Sequence, residues 1–305
     1  MAQPAQSTAS GFVFLKPTLN KIWGTNIKGK LDWEDSGFDV STSKDFYIDD
    51  QERASTGPMQ VKVQNELAEI DSSNVGFGTR YYLVSYAQRV LVSYEMKKFS
   101  KYDEALNGTK DTAQAAKLTQ EYTAADVWIK AYTTGYVGGD GVVLGSASHT
   151  LVNGGTYSNM FAAYMSLSEI ALETMWANAS QMPDSNGWIV NGYQIKKIVV
   201  PAQLEFQAMR LLKSANQAET ANNAINAIKS KNIGMGVNRY LTSTTQWGGV
   251  TNVEENTGLR FIWGTRPEFF EDNDGSRMTT SYIGYEQFAV GWTNPRAVYL
   301  SNSAG

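Results

Sequence analysis

The chain has 305 residues, 42% hydrophobic and only 18% charged, with a formal net charge of −4 and no cysteine. That length is near the limit of one hydrophobic core and fits two lobes more comfortably. The missing cysteines exclude disulfides, thiolate metal sites and Cys nucleophiles, and the mildly acidic balance excludes the clustered cations of a strong nucleic-acid grip.

In chain order, Met1–Ser10 is small and polar, without the basic and apolar regions of a signal peptide. Residues 1–20, with Gly11-Phe-Val-Phe-Leu15 before Lys16-Pro17, bury too little to fold alone. They are expected to form an arm that is disordered or held by a neighbour. Over 41–80, Asp45–Asp49 and Met59–Gln64 alternate at period two around a turn at Arg53–Pro58, which predicts a two-stranded excursion. Such a hairpin is marginal in water, so it is expected to lie on another surface. Strand continues from 80 to 96. Thr109–Thr134 then reads as one long helix with a stripe at Leu118, Tyr122, Ala125, Ile129 and Tyr132, ended by Gly135.

A Gly- and Ser-rich passage (145–158) separates the halves. Three helical stripes follow: Phe161 to Ala179; Leu204, Ala208 and Leu211; and Ala224, Ile225 and Ile228. Between the first two, Gln194–Pro201 is a strand stopped by the proline that opens the next helix. From Leu259 the signal is β again, with Asp272-Asn-Asp-Gly275 as the turn. No run of about 18 apolar residues marks a membrane span.

Chemical motifs fail one by one. The only histidine is His149, so no HExxH site exists and no G-x-S-x-G elbow offers it a serine. A structural role suits it better. Gly24-Thr-Asn-Ile-Lys-Gly29-Lys30 matches a phosphate loop, but Leu31 stands where a Mg²⁺-binding Ser or Thr belongs. Asp272–Gly275 resembles part of a calcium loop, but the bidentate Glu position holds Ser281. Glu254, Glu255, Glu268 and Glu271 are acids that a glycosidase would need in pairs; as loop residues they read as solvated. No catalytic residue, cofactor or metal is assigned.

Segment order and a few stretches carry a resemblance. Ser148–Asn159 followed by Leu167–Leu172, Ile198–Leu204 leading into Ala208–Leu212, and Gln287–Arg296 are similar to the tailed-bacteriophage major capsid proteins with the HK97-like fold. The resemblance implies an α+β chain divided into an N-terminal arm and lead-in (1–40), an extended E-loop (41–80), a peripheral domain with spine helix (81–145), an axial domain (146–258), and a closing β segment (259–305). It implies self-assembly as hexamers and pentamers into an icosahedral shell around double-stranded DNA, in the virion, after synthesis in the bacterial cytoplasm. The implied partners are a separate scaffolding protein, a portal protein, packaged DNA by non-specific proximity and, in some relatives, decoration proteins, with no membrane. Expected intersubunit contacts are Arg53, Gly57, Met59 and Val61 in the excursion and Asp272, Asn273 and Asp274 at the hairpin turn. Removing Asp49–Val63 is expected to spare the core and abolish shells. A tail tube or sheath subunit is the structural alternative, disfavoured by the long helix, and a carbohydrate-active enzyme the catalytic one.

Overall fold

A computed structural model describes residues 9–65, 67, 75–99, 103–190, 192–214, 225–254 and 257–302. Residues 1–8 of the expected arm, together with Ala224 and Glu255, lie outside them. The chain opens with helix α1 (Ala9–Asn26), followed by a 3-10 turn at Asp32–Asp35 and strands β1 (Phe38–Thr42), β2 (Tyr47–Arg53), β3 (Val75–Tyr82) and β4 (Val84–Ser93). Short α2 (Tyr94–Lys98) leads into long α3 (Asp103–Ile129). The second half runs β5 (His149–Thr150), β6 (Thr156–Tyr157), α4 (Glu169–Ser180), β7 (Ile195–Pro201), α5 (Glu205–Lys213), β8 (Gly234–Asn238) and β9 (Gly248–Thr251). It closes with β10 (Leu259–Asp274), β11 (Thr279–Trp292) and β12 (Val298–Leu300).

Two four-stranded sheets organise these elements, ordered β1-β10-β11-β4 and β12-β9-β7-β8. The first is built on the β10–β11 hairpin, whose turn is 275–278 rather than the expected Asp272–Gly275: Asp272, Asn273 and Asp274 are still strand, paired with Ser281, Thr280 and Thr279. Aromatic rings fill the layer between this sheet and α3. Trp33 stacks on Phe261 at 3.9 Å, Phe261 on Phe288 at 5.0 Å, and Tyr86 on Phe288 at 4.9 Å. The second sheet joins α4 and α5 around Leu172, Met175, Ile198, Val200, Ala208 and Trp247. β12 returns the C-terminal segment to β9.

Four expectations are corrected. Residues 9–26 are helix rather than arm, because Leu19 and Trp23 fall one turn apart and bury together (0% and 5% exposed). The Trp23 ring stacks on Phe269 at 5.1 Å and lies so close over Gly284 that a Cβ there would meet it at 2.6 Å. Second, α3 runs from 103 to 129, a span of about 40 Å at 1.5 Å per residue, and its buried side matches the expected stripe only in part. Of that stripe Ala125 is buried, but Leu118 and Tyr122 are 43% and 58% exposed, while Ala105, Thr109, Thr112, Ala113, Gln120, Ala124, Val127 and Trp128 are also buried. Small residues let the helix sit close on the sheet; a Cβ at Gly108 would lie 2.9 Å from Val90. The Thr109 and Thr112 hydroxyls donate back to the Ala105 and Gly108 carbonyls at 2.8 Å, which hides their polarity. A hydropathy stripe does not register such a face. Third, β2 pairs with β3, not with Met59–Gln64, which forms no strand. Fourth, the described part of the predicted third helix, from Ile225 on, forms only a 3-10 turn at Ile228–Lys231.

Candidate functional site

The excursion begins on β2, Tyr-Ile-Asp-Asp-Gln-Glu-Arg, a strand too polar to be held by apolar burial. Arginines hold it instead. Asp49 accepts both arms of Arg80 across the ladder, from Nε at 2.6 Å and Nη2 at 2.7 Å, and these bonds keep its carboxyl below the usual range. Arg80 also lies over the Tyr47 ring at 4.5 Å. Asp50 pairs with Arg260 of β10 at 2.9 Å. Glu52 pairs with Arg296, and both are buried, at 3% and 1% exposure. Burial pushes the Glu52 carboxyl up and the Arg296 charge opposes that rise.

Arg296 is a junction. Its Nε donates to the Pro183 carbonyl, its guanidinium lies 4.0 Å over the Tyr157 ring, and its own carbonyl accepts the Thr251 hydroxyl. One side chain thus ties the base of the excursion to β6, to the loop before residue 184 and to the closing segment. A buried pair so placed specifies geometry more than it adds stability, since desolvation offsets most of the Coulomb gain.

The next residues rest on the same chain. Asp184 accepts from the Ser55 amide at 2.9 Å and from its hydroxyl, and Asn186 Nδ2 donates to the Ser55 carbonyl at 2.6 Å. The Asp184 carboxylate also accepts the Asn186 and Trp188 amides, at 3.0 and 2.8 Å, so one side chain shapes the turn and clamps the excursion to it. Gly57 therefore faces Trp188, whose indole nitrogen a Cβ would meet at 3.1 Å. Arg53 is exposed and reaches Glu254 at 3.7 Å.

Beyond Pro58 the support ends. Met59, Val61, Val63 and Leu67 are 101%, 94%, 57% and 96% exposed. These four apolar side chains lie in water, and none of them is in helix or strand.

The second predicted group sits apart, at the far end of the β10–β11 hairpin, and no hydrogen bond or ion pair joins it to the excursion among the described residues. Asp274 Oδ1 accepts the Ser276 amide at 2.9 Å, the Ser276 hydroxyl at 2.6 Å and the Arg277 amide at 3.2 Å, which holds its carboxyl below the usual value. Asn273 accepts the Thr280 hydroxyl at 2.7 Å. Asp272 and Asn273 are exposed. These are turn contacts, and no cluster of metal-ligating residues occurs among the described residues. Glu271 is paired with Lys16 at 3.0 Å, Glu254 with Arg53, and Glu268 is exposed. His149 is wholly buried, with Nδ1 2.6 Å from Asp140 Oδ2 and Nε2 3.2 Å from the Leu144 carbonyl. Lys30 is paired with Asp35.

Arg296, Glu52 and Asp184 were missed by sequence reasoning. Glu52 and Arg296 are 244 residues apart, and no periodicity links such partners.

A helix along a long hairpin sheet, a second α+β sheet and an extended two-stranded excursion define the HK97-like capsid fold. The fold is similar to that of the virus-like particle from Pyrococcus furiosus, with TM-score 0.51 and 11% identity over 93% of this chain and 98% of that one. It is also similar to the capsid of an empty GTA particle (0.53, 11% identity, 90% and 91% covered) and to the capsid of Ralstonia phage GP4 (0.53, 14% identity, 86% and 84% covered). No curated protein sequence matches the chain. Residues 77–301 match the phage capsid protein family, and the chain belongs to that family. It is a structural protein that self-assembles into the shell of the virion.

Proposed function

We propose that the chain closes its shell through hexamers and pentamers around a double-stranded DNA genome, and that it carries no catalytic role. The observation that carries this reading is the excursion: a base locked to its own subunit by Glu52–Arg296 and Ser55–Asp184, and an apolar tip left in water. A rigid base with an exposed tip reaches a neighbour, and a contact between unlike patches repeats around a ring until it closes.

On this reading residues 41–80 act as the E-loop, 81–145 with the closing segment 259–305 as the peripheral domain, and 146–258 as the axial domain. Residues 1–40 lead into the sheet. Arg53, Gly57, Met59 and Val61 make one intersubunit contact, with Gly57 serving it indirectly by fitting against Trp188. Asp272, Asn273 and Asp274 make another where assemblies of subunits meet. Assembly takes place in the host cytoplasm with a separate scaffolding protein and a portal protein, and decoration proteins are compatible with the finished shell.

The double substitution Met59→Asp, Val61→Asp tests the reading. Both side chains are exposed, so the subunit should melt as the natural one does, while electron microscopy should find no closed shells. Normal shells from this variant would remove the excursion from the assembly contact.

A further inference from the structure

The strand β4 is an open edge. It pairs with β11 along Val84–Ser93 without a register shift, and on its other side it meets no strand among the described residues. On a regular ten-residue edge strand the alternate N–H and C=O groups that point away from β11 are a template for another chain, which proteins usually blunt with lysine, proline or a bulge. β4, Val-Ser-Tyr-Ala-Gln-Arg-Val-Leu-Val-Ser, has no lysine, no proline and no bulge. The opposite edge, β1, is only five residues long.

The same chain carries a strand without a sheet. Met59-Gln-Val-Lys-Val-Gln64 alternates apolar and polar side chains at the period of a strand that is buried on one face. Yet its backbone makes no hydrogen bond among the described residues, and Met59 and Val61 are 101% and 94% exposed. β2 takes β3 as its partner instead.

We infer that Met59–Gln64 of one subunit adds as a further antiparallel or parallel strand to the β4 edge of a second copy. The inference rests on the shell reading and adds to it the acceptor and the mode of contact. Main-chain bonds between strands supply the affinity, and the alternate apolar side chains supply the register. β4 offers a matching surface: Leu91 is 51% exposed, and Ala87 and Arg89 beside it on the same face are exposed too. Each copy has one donor strand and one acceptor edge, so the contact propagates from subunit to subunit as ring closure requires. The period-two pattern of Met59–Gln64 is then that of a strand whose sheet lies in another subunit.

Disulfide trapping tests this without background, because the chain has no cysteine of its own. Opposed residues on neighbouring strands have Cα atoms about 4.5–5.5 Å apart, within disulfide range. Gln60→Cys and Val61→Cys point to opposite faces of a strand. Each would be combined in the full chain with Ala87→Cys, Arg89→Cys or Leu91→Cys, and shells oxidised and run on a denaturing gel. One of the two series, not both, should give ladders of linked subunits, strongest at one of the three positions. Shells that form normally and give no ladder in either series overturn the inference while leaving the shell reading intact. Absence of shells from the natural chain would refute both. Hydrogen exchange on the unsubstituted protein covers variants that do not assemble: amides of 60–64 should exchange at least about tenfold more slowly in shells than in free subunits. Equal exchange of 60–64 in the two states overturns the strand addition.

Discussion

Replacing Glu286 by Gln should flatten the pH dependence of subunit stability. Glu286 lies on β11 beneath α3 and is 2% exposed. Gln120 Nε2 donates to its Oε2 at 2.7 Å, while Oε1 has no hydrogen-bond partner. Burial pushes the carboxyl up from 4.5 to about 7, against a smaller lowering by the Gln120 bond. The folded state therefore keeps a proton that the unfolded chain releases near pH 4.5. Between these values the native state binds more protons, so this contribution is full below about pH 4.5 and is lost as pH rises through about 7. At about 1.4 kcal/mol per pH unit the gap is worth at most about 3.5 kcal/mol. The site borders a cavity of about 240 Å³ lined by Trp23, Thr112 and Tyr285, and solvent there reduces the effect to about 1–3 kcal/mol. Urea melts of unassembled subunits between pH 5 and pH 8 would measure it, since Gln imitates the protonated acid and cannot ionise. The natural protein should lose that much more stability than Glu286→Gln across the range. Parallel curves would refute the assignment of a buried, proton-holding carboxyl at this position.

Arg296→Ala should destabilise the subunit by about 3–5 kcal/mol by leaving Glu52 buried and unpaired, whereas the double change Glu52→Met, Arg296→Met should recover most of that loss; additive losses in denaturant melts would contradict the pairing. Leu19→Ala should lower unassembled-subunit stability by about 2–5 kcal/mol, because α1 belongs to the core of the single chain; a change seen only in shells would return residues 9–26 to the status of an arm. Deleting Asp49–Val63 should destabilise the subunit itself, since it removes Glu52 and Ser55 and orphans Arg296 and Asp184, while replacing only 59–65 with Gly and Ser should leave thermal melting within about 0.5 kcal/mol of the natural chain. Equal melting of the two variants would mean that the base of the excursion is not anchored as described.

Elements with local signals were legible. The β10–β11 hairpin announces itself through Asp272–Gly275, and Gln194–Pro201 through β-branched residues closed by proline. The order of strand, long helix and second lobe followed from periodicity, and the fold class from the resemblance that this order helps to carry. What failed depended on partners far along the chain. Residues 9–26 look too sparse to fold because their helix is completed by Phe269 and Gly284. Much of the buried face of α3 is Ala, Thr and Gln, which allow close approach, joined near its end by Val127 and Trp128, while Leu118 and Tyr122 face outward. Met59–Gln64 has the pattern of a strand, but β3 holds the edge it was expected to take. Met59 and Val61 were legible as apolar residues without a local core, and both are exposed. The clamp behind them, Glu52 with Arg296 and Ser55 with Asp184, is built from charged and polar side chains that hydropathy places at the surface.

Electron microscopy of the purified full chain, produced alone and with its candidate scaffolding partner, tests the central claim most directly. Uniform closed shells in either preparation are the predicted result. Tubes or sheaths of stacked rings in both, or subunits that stay monomeric in both at high concentration, would contradict an account in which this chain closes a shell through its excursion.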